Sequence, residues 1–206
     1  MSGPGSFSGA VLTGGAGRRM GRDKALLALA GEPMALRVAR ALRAAGAAEV
    51  FAVGGDIDAL AARGLVAVAD ERPGEGPLAG LLAALDHARH PVVAVLACDL
   101  VSPDPAAVAA VVVALETDPA LAWAVPVLDG RRQLVHGAWR RSARPVLGAA
   151  FERGERSLHR AVAGLAGTEV AGIGAAALAD ADTPAQLPPS ALQPPRSGGQ
   201  AGPAAP

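Results

Sequence analysis

Residues 91–97 (PVVAVLA) form a run of apolar side chains with no polar position between them, and that run constrains the fold more than any other segment. A strand of this length, apolar at every position, has no face to offer water, so both of its faces must be covered. This is the situation of a central strand in a parallel sheet with helices packed on either side. The remaining chain supplies matching pieces.

Shorter apolar stretches suited to strands lie at 9–13, 49–53, 65–69, 121–127, 133–139 and 168–173. Helical spacing of apolar residues occupies 33–45, 78–88, 104–116, 142–153 and 157–164, with a last helix expected from Pro184. Pro33 suits a first helical turn and Gly46 a stop. Strand and helix alternate along most of this length, which predicts an α/β fold: a three-layer α/β/α, Rossmann-like arrangement with a mostly parallel central sheet. Ligands of such sheets sit at the carboxyl ends of the strands. The expected organisation is a flexible leader at 1–8, one domain at 9–187, and a disordered tail at 188–206 rich in Pro, Gly, Ser and Gln.

Composition narrows the function classes. Half the residues are apolar but only 2% are aromatic and none is Tyr, so Ala, Val and Leu must fill the core. Nineteen basic side chains balance nineteen acidic ones, which argues against a broad attraction to nucleic acid or to an anionic membrane. The single Cys98 excludes an intramolecular disulfide and a multi-cysteine metal site. No apolar run approaches the roughly 20 residues of a membrane helix, and the N-terminus lacks the pattern of a signal peptide. The expectation is a cytoplasmic protein.

The chemistry gathers first in residues 12–24, LTGGAGRRMGRDK, directly after the first strand. Gly14, Gly15, Gly17 and Gly21 let the backbone turn sharply and bring amide N–H groups close to a ligand. Arg18, Arg19 and Lys24 add three cations, the arginines as planar forks and the lysine as a compact charge. The segment reads as an anion cradle with capacity for a triphosphate. It is not a Walker A loop, because no Gly-Lys-Ser/Thr follows, and the glycines are out of register for a dinucleotide fingerprint.

Three further segments fall at strand ends. In 70–80, DERPGEGPLAG, Gly76-Pro77 breaks the chain ahead of a helix and Gly80 leaves its first turn without a Cβ. Asp99 ends the buried 91–97 strand, where an unpaired charge is costly; it wants a partner, and a hard divalent cation is one. Asp104 can cap the helix that follows. In 179–184, ADADTP, Asp180 and Asp182 alternate on an extended segment and can face one site together, while Asp182 or Thr183 could equally cap a helix starting at Pro184. Cys98 reads as a buried strand residue. His87, His90 and His159 read as surface groups, and His136 as a residue that could line a pocket.

The sequence G-G-x-x-x-R-M-G-x-D-K after a short strand resembles the signature loop of the molybdenum cofactor guanylyltransferases, the MobA-like nucleotidyltransferases. Related sugar-nucleotide and cytidylyl transferases carry Ala-Gly in place of Gly14-Gly15 and usually another pair in place of Asp23-Lys24. Further matches follow in order to about Leu187. The resemblance implies transfer of GMP from GTP to the terminal phosphate of molybdopterin, with Mg²⁺ as cofactor. It implies Leu12, Thr13, Gly14, Gly15, Lys24, Asp70, Gly76, Gly80 and Asp99 on GTP, and Arg19, Lys24 and Asp99 as the catalytic set. Asp99 and Asp182 would hold the metal; Arg156, Asp180 and Asp182 would face the acceptor. Transient contact with molybdoenzymes or other cofactor-biosynthesis proteins would accompany that role. Two features depart from the pattern: Asp stands at both positions where the closing motif often has Asn, and Gly54-Gly55 occupies a place where guanylyl enzymes often carry Asn. A related transferase using CTP or another acceptor, and a non-catalytic nucleotide-binding partner of molybdoenzymes, are the rival expectations.

Overall fold

A computed structural model describes residues 6–14 and 24–180. The first strand, β1 (Ser8–Leu12), is buried along its whole length. A 3-10 turn (Lys24–Leu26) and a small antiparallel hairpin of β2 (Ala28–Leu29) and β3 (Glu32–Pro33) lead into α1 (Met34–Ala44). Then come β4 (Glu49–Val53), the short α2 (Ile57–Ala61), β5 (Val66–Val68), α3 (Pro77–His87), β6 (Val92–Ala97) and α4 (Pro105–Glu116). The second half holds β7 (Trp123–Leu128), β8 (Arg131–Arg132), β9 (His136–Arg140), α5 (Arg144–Glu152), α6 (Leu158–Ala161), β10 (Gly167–Val170) and α7 (Ala175–Leu178).

The main sheet runs β10-β7-β9-β6-β1-β4-β5, with β8 attached to β7. The apolar run at 91–97 becomes β6, in parallel register with β1 on one side and beside β9 on the other. Its alternate residues serve two cores. Val93 and Val95 pack with Leu78, Leu81, Leu82 and Leu85 of α3 and with Leu147 and Phe151 of α5. Val92, Ala94 and Leu96 pack with Val38 and Leu42 of α1 and Val108, Val111 and Val112 of α4. The strand is apolar throughout because each face meets a helix layer. The α/β expectation is met.

The parallel rule fails at β9, which runs antiparallel to both β6 and β7. The physical reason is length: a parallel crossover needs a dozen or more residues, and only residues 129–135 separate β7 from β9. The chain instead folds back through Asp129 (φ 50) and Gly130 (φ 72), a two-residue turn that pairs Leu128 with Arg131. The Asp-Gly pair was the available sequence signal for β8.

Most expected elements appear with trimmed ends; α2, α7 and the β2–β3 hairpin were not expected. The stretch 142–153 divides into a 3-10 turn (Arg141–Ala143) and α5. The leader boundary needs correction: Phe7 and Ser8 are fully buried. Phe7 packs in the α1/α4 core, and the Ser8 hydroxyl donates to Glu49 (2.7 Å) while accepting from the His90 amide (3.1 Å). The tail at 188–206 and the helix from Pro184 lie outside the described residues.

Candidate active site

Because β1, β4, β5 and β6 are parallel, their carboxyl ends share one edge of the sheet. Residues that follow those ends are therefore brought together from four separate segments: Thr13 and Gly14, Gly54, Asp70, and Asp99. Leu12, the last residue of β1, is buried and fixes where that edge begins.

The exit of β1 is fastened to β4. The amides of Thr13 and Gly14 both donate to the Val53 carbonyl (3.0 and 3.2 Å). The buried Thr13 hydroxyl is shared between the carbonyls of Val53 (2.9 Å) and Gly54 (2.7 Å). Its side chain is thus committed to the scaffold, and what Thr13 presents to the edge is backbone. Gly54 has φ +78, and a Cβ there would lie 3.2 Å from both Cα and N of Gly14 and 3.5 Å from Cβ of Asp70. Only a glycine permits that conformation together with that approach. Asp70 comes to the same place from β5: a Cβ on Gly14 would lie 3.5 Å from its Oδ2, and its Oδ1 accepts the Arg72 amide (2.9 Å).

Lys24 and Asp99 meet across this edge, with Nζ 2.8 Å from Oδ2 and each side chain about one-fifth exposed. The partner that a strand-end carboxylate demands is, within the protein, this lysine. The contact is made by Oδ2 of Asp99, and both side chains keep part of their surface open to solvent. Asp180 is brought alongside because Leu100 bridges to it and the Val101 amide donates to Ala179 (2.9 Å). His136, first residue of β9 and opposite Leu96, is buried at the same end. Burial pushes its imidazole below the ordinary histidine range, against the charges of Asp99 and Asp180, which pull upward. Its Nδ1 is enclosed without a hydrogen-bond partner among the described residues. The ring thus stands beside two carboxylates with its charged form disfavoured by burial, at a position the sequence marked only as one that could line a pocket.

The 70–80 segment behaves as its glycines suggested. Gly76 caps α3 with φ +90, and Gly80 lies against Leu12, whose Cδ2 would be 3.4 Å from an added Cβ. A cavity of about 260 Å³ lies between this segment and the outer face of α3, lined by Asp70, Arg72, Ala79, Ala83 and His87 among others. A larger one of about 720 Å³, bounded by Arg131, Arg132, Gln133, His159 and Glu169, lies at the β7–β10 end of the sheet; its residues are not those of the strand-end cluster.

Arg156 sits beside the same segment. Its Nη2 is 2.6 Å from Glu75 Oε2, its Nη1 donates to the carbonyls of Phe151 (2.8 Å) and Glu155 (3.0 Å), and its guanidinium stacks 3.8 Å over the Phe151 ring. Among the expected site residues, then, Leu12, Thr13, Gly14, Lys24, Asp70, Gly80 and Asp99 cluster at the carboxyl edge, Asp180 joins them through Leu100, and Gly76 with Arg156 forms an adjoining corner. Gly15, Arg19 and Asp182 lie outside the described residues. Among the described residues no three His, Cys, Asp or Glu side chains are grouped to hold a metal ion, and none of their helices is long and apolar enough to cross a membrane. Cys98 is buried, and Asp104 caps α4 through the Ala106 amide (2.9 Å).

A mostly parallel sheet covered by helices on both faces, with a lysine and a strand-end carboxylate meeting at its carboxyl edge, gives an α/β domain whose ligand edge carries both charges. Comparison with known proteins supplies the class. The chain belongs to the family described as the MobA-like NTP transferase domain, which matches residues 9–170. It is similar to a molybdenum cofactor guanylyltransferase of Pseudomonas entomophila, 37% identical over 158 residues, covering 75% of this chain and 81% of that protein. It is 51% identical over 80 residues to a "probable molybdenum cofactor guanylyltransferase" of Opitutus terrae, a match spanning 39% of this chain and 40% of that protein's length. Among solved structures it resembles molybdopterin-guanine dinucleotide biosynthesis protein A from Archaeoglobus fulgidus, with TM-score 0.63 and 25% identity over 79% of this chain and 82% of that one.

Proposed function

We propose that this protein transfers GMP from GTP to the terminal phosphate of molybdopterin, releasing pyrophosphate and forming the guanine dinucleotide of the cofactor. The observation that carries this reading is the Lys24–Asp99 pair, placed at the carboxyl edge next to the Thr13–Gly14 backbone. The family and the names of the similar proteins support the acceptor and the base.

The acceptor's phosphate oxygen is already anionic, so attack on the α-phosphorus needs no general base. Catalysis then rests on positioning and on neutralising charge as pyrophosphate departs. Lys24, with Arg19, supplies positive charge to the phosphates. Leu12, Thr13, Gly14 and Gly15 line the nucleotide through backbone, with Asp70, Gly76 and Gly80 on its base and ribose side. Asp180 and Asp182 face the acceptor.

Carboxylate oxygens at Asp99, with Asp180 carried alongside it, suit a hard divalent cation. Asp99 and Asp182 would hold Mg²⁺, which supplies Lewis-acid neutralisation of the phosphates when bound. A cytoplasmic location and transient contact with the recipient molybdoenzymes go with this role.

Gly54 favours one rival, a transferase that uses CTP, because guanylyl enzymes often carry Asn at that place. Pyrophosphate release measured with each of the four NTPs, with and without molybdopterin, decides between them. Release dependent on GTP and molybdopterin is expected, and Asp99→Ala should abolish it while circular dichroism stays that of the parent. Release with CTP alone, or near-normal turnover by Asp99→Ala, would overturn the assignment.

A further inference from the structure

Lys24 and Asp99 approach one another from segments that share a small core of their own. Leu29 of β2 and Met34 of α1 are buried together, and Leu27 and Val101 pack against them. This cluster is separate from the two cores on the faces of the sheet. Leu27 follows Lys24 by three residues; its amide donates to the Lys24 carbonyl (3.2 Å) and its own carbonyl accepts the Met34 amide (2.9 Å). Val101 follows Asp99 by two residues. The cluster therefore holds the backbone beneath both side chains, and the 2.8 Å contact of Nζ with Oδ2 closes the ring.

Arg37 enters this arrangement from α1. It stands three positions after Met34, a spacing that shares one helix face. Its Nη2 donates to the Val101 carbonyl (3.1 Å), and its Nη1 lies 3.8 Å from the carboxylate of Glu32 on β3. The Val101 amide is committed to Ala179 (2.9 Å), beside the bridge of Leu100 to Asp180. Val101 is thus held at its amide by the segment that carries Asp180 and at its carbonyl by Arg37. The Arg37 side chain is only 19% exposed, and its Nε is enclosed without a hydrogen-bond partner among the described residues. An arginine on a helix surface ordinarily keeps its guanidinium in water, and an enclosed unpaired N–H is costly. Drawing the guanidinium inward is explained by the backbone it holds. Arg40 meets the same Glu32 carboxylate (3.0 Å) from a largely exposed position.

We infer that Arg37 is a positioning residue for nucleotidyl transfer, acting through the Val101 carbonyl to fix the turn that carries Asp99. With the hairpin core, it sets the spacing of Asp99 from Lys24. The inference rests on the proposed roles of that pair. A small displacement of the turn is amplified in the rate, because charge developing on the phosphates must be met at a set place.

The test compares full-length Arg37→Met, Arg37→Lys and, as the control on the same Glu32, Arg40→Gln. Amide hydrogen exchange at Val101 reports the turn without any ligand. The Cys98 amide, bonded to Leu12 (3.0 Å), is the reference. Steady-state kinetics with the NTP that the parent uses separate kcat from KM. Arg37→Met should speed Val101 exchange by about five- to thirtyfold, the effect of losing one charge-assisted bond, with Cys98 at the parent rate. Its kcat should fall by about ten- to a hundredfold while the nucleotide KM stays within about twofold. Arg37→Lys, which keeps a donor of similar reach, should restore most of both, and Arg40→Gln should match the parent. Should Arg37→Met not fold, Arg37→Gln is read in its place, with the same split expected. A merely structural arginine would lower the urea midpoint and leave kcat at the parent value, which would overturn the inference, as would an unchanged Val101 rate or an equal loss in Arg40→Gln. No turnover of any NTP by the parent would instead refute the proposed reaction, and Val101 exchange would still decide whether Arg37 holds the turn.

Discussion

Replacing Gly54 by Ala tests how the nucleotide edge is built. Two costs add at this position. Ala must adopt φ near +78, and a left-handed conformation costs a non-glycine residue roughly 1–2 kcal/mol. Its Cβ must also sit 3.2 Å from the Cα and N of Gly14, closer than ordinary van der Waals contact, and backbone atoms held by the Val53 carbonyl cannot swing aside. Relieving that contact should cost about 1–2 kcal/mol more, as overpacking does. Gly64 provides the internal control, because it has the same φ of +78 with nothing within 4 Å of an added Cβ. Gly64→Ala should therefore lose about 1–2 kcal/mol and Gly54→Ala about 2–4, read from urea unfolding. For a domain of this size, that difference separates the melting temperatures by about 2–8 °C. Gly54→Ala should also raise the KM for nucleotide, since Gly14 and Asp70 both border the new methyl, whereas Gly64→Ala should not. Equal destabilisation by the two substitutions would refute the claim that the Gly54–Gly14 approach is a packing constraint.

Thr13→Val keeps the shape of a buried side chain but removes the donor shared by Val53 and Gly54; it should lower stability by about 1–2 kcal/mol in the same denaturation assay, and an unchanged midpoint would count against that anchoring role. Glu155 is held at about 2, below its ordinary 4.5, by its bond to Arg160 and then by the amides of Ser157 and Arg156. With a depressed folded value, its contribution is complete above about pH 4.5 and is lost as pH falls toward 2. The melting-temperature gap between the parent and Glu155→Gln should accordingly be widest above pH 4.5 and close on acidification. A gap that does not narrow would contradict the assignment.

How much was legible in advance differs by kind of information. The 91–97 run determined a strand covered on both faces, and β6 is that strand, because apolar continuity is a local property that any fold must satisfy. The glycine positions were legible for the same reason: a break at Gly76 is a demand of the backbone on its own residue. Strand alternation then placed Thr13, Asp70 and Asp99 at one edge, since parallel strands put all their exits on the same side. What the sequence could not determine was who meets whom. Lys24 and Asp99 are 75 positions apart, and the carboxylate's partner within the protein depends on the order β6-β1-β4. The reversal of β9, which buries His136 beside Asp99 and Asp180, followed from a short connection whose consequence appears only when the sheet closes. Arg156 read as a group for the acceptor; its contacts with Glu75 and the Phe151 ring depend on how α5 and α6 pack on α3, which no local pattern shows. Local chemistry selects the elements and the backbone turns, whereas the pairing of distant charges is decided by which segments the sheet and its helices bring within hydrogen-bond reach.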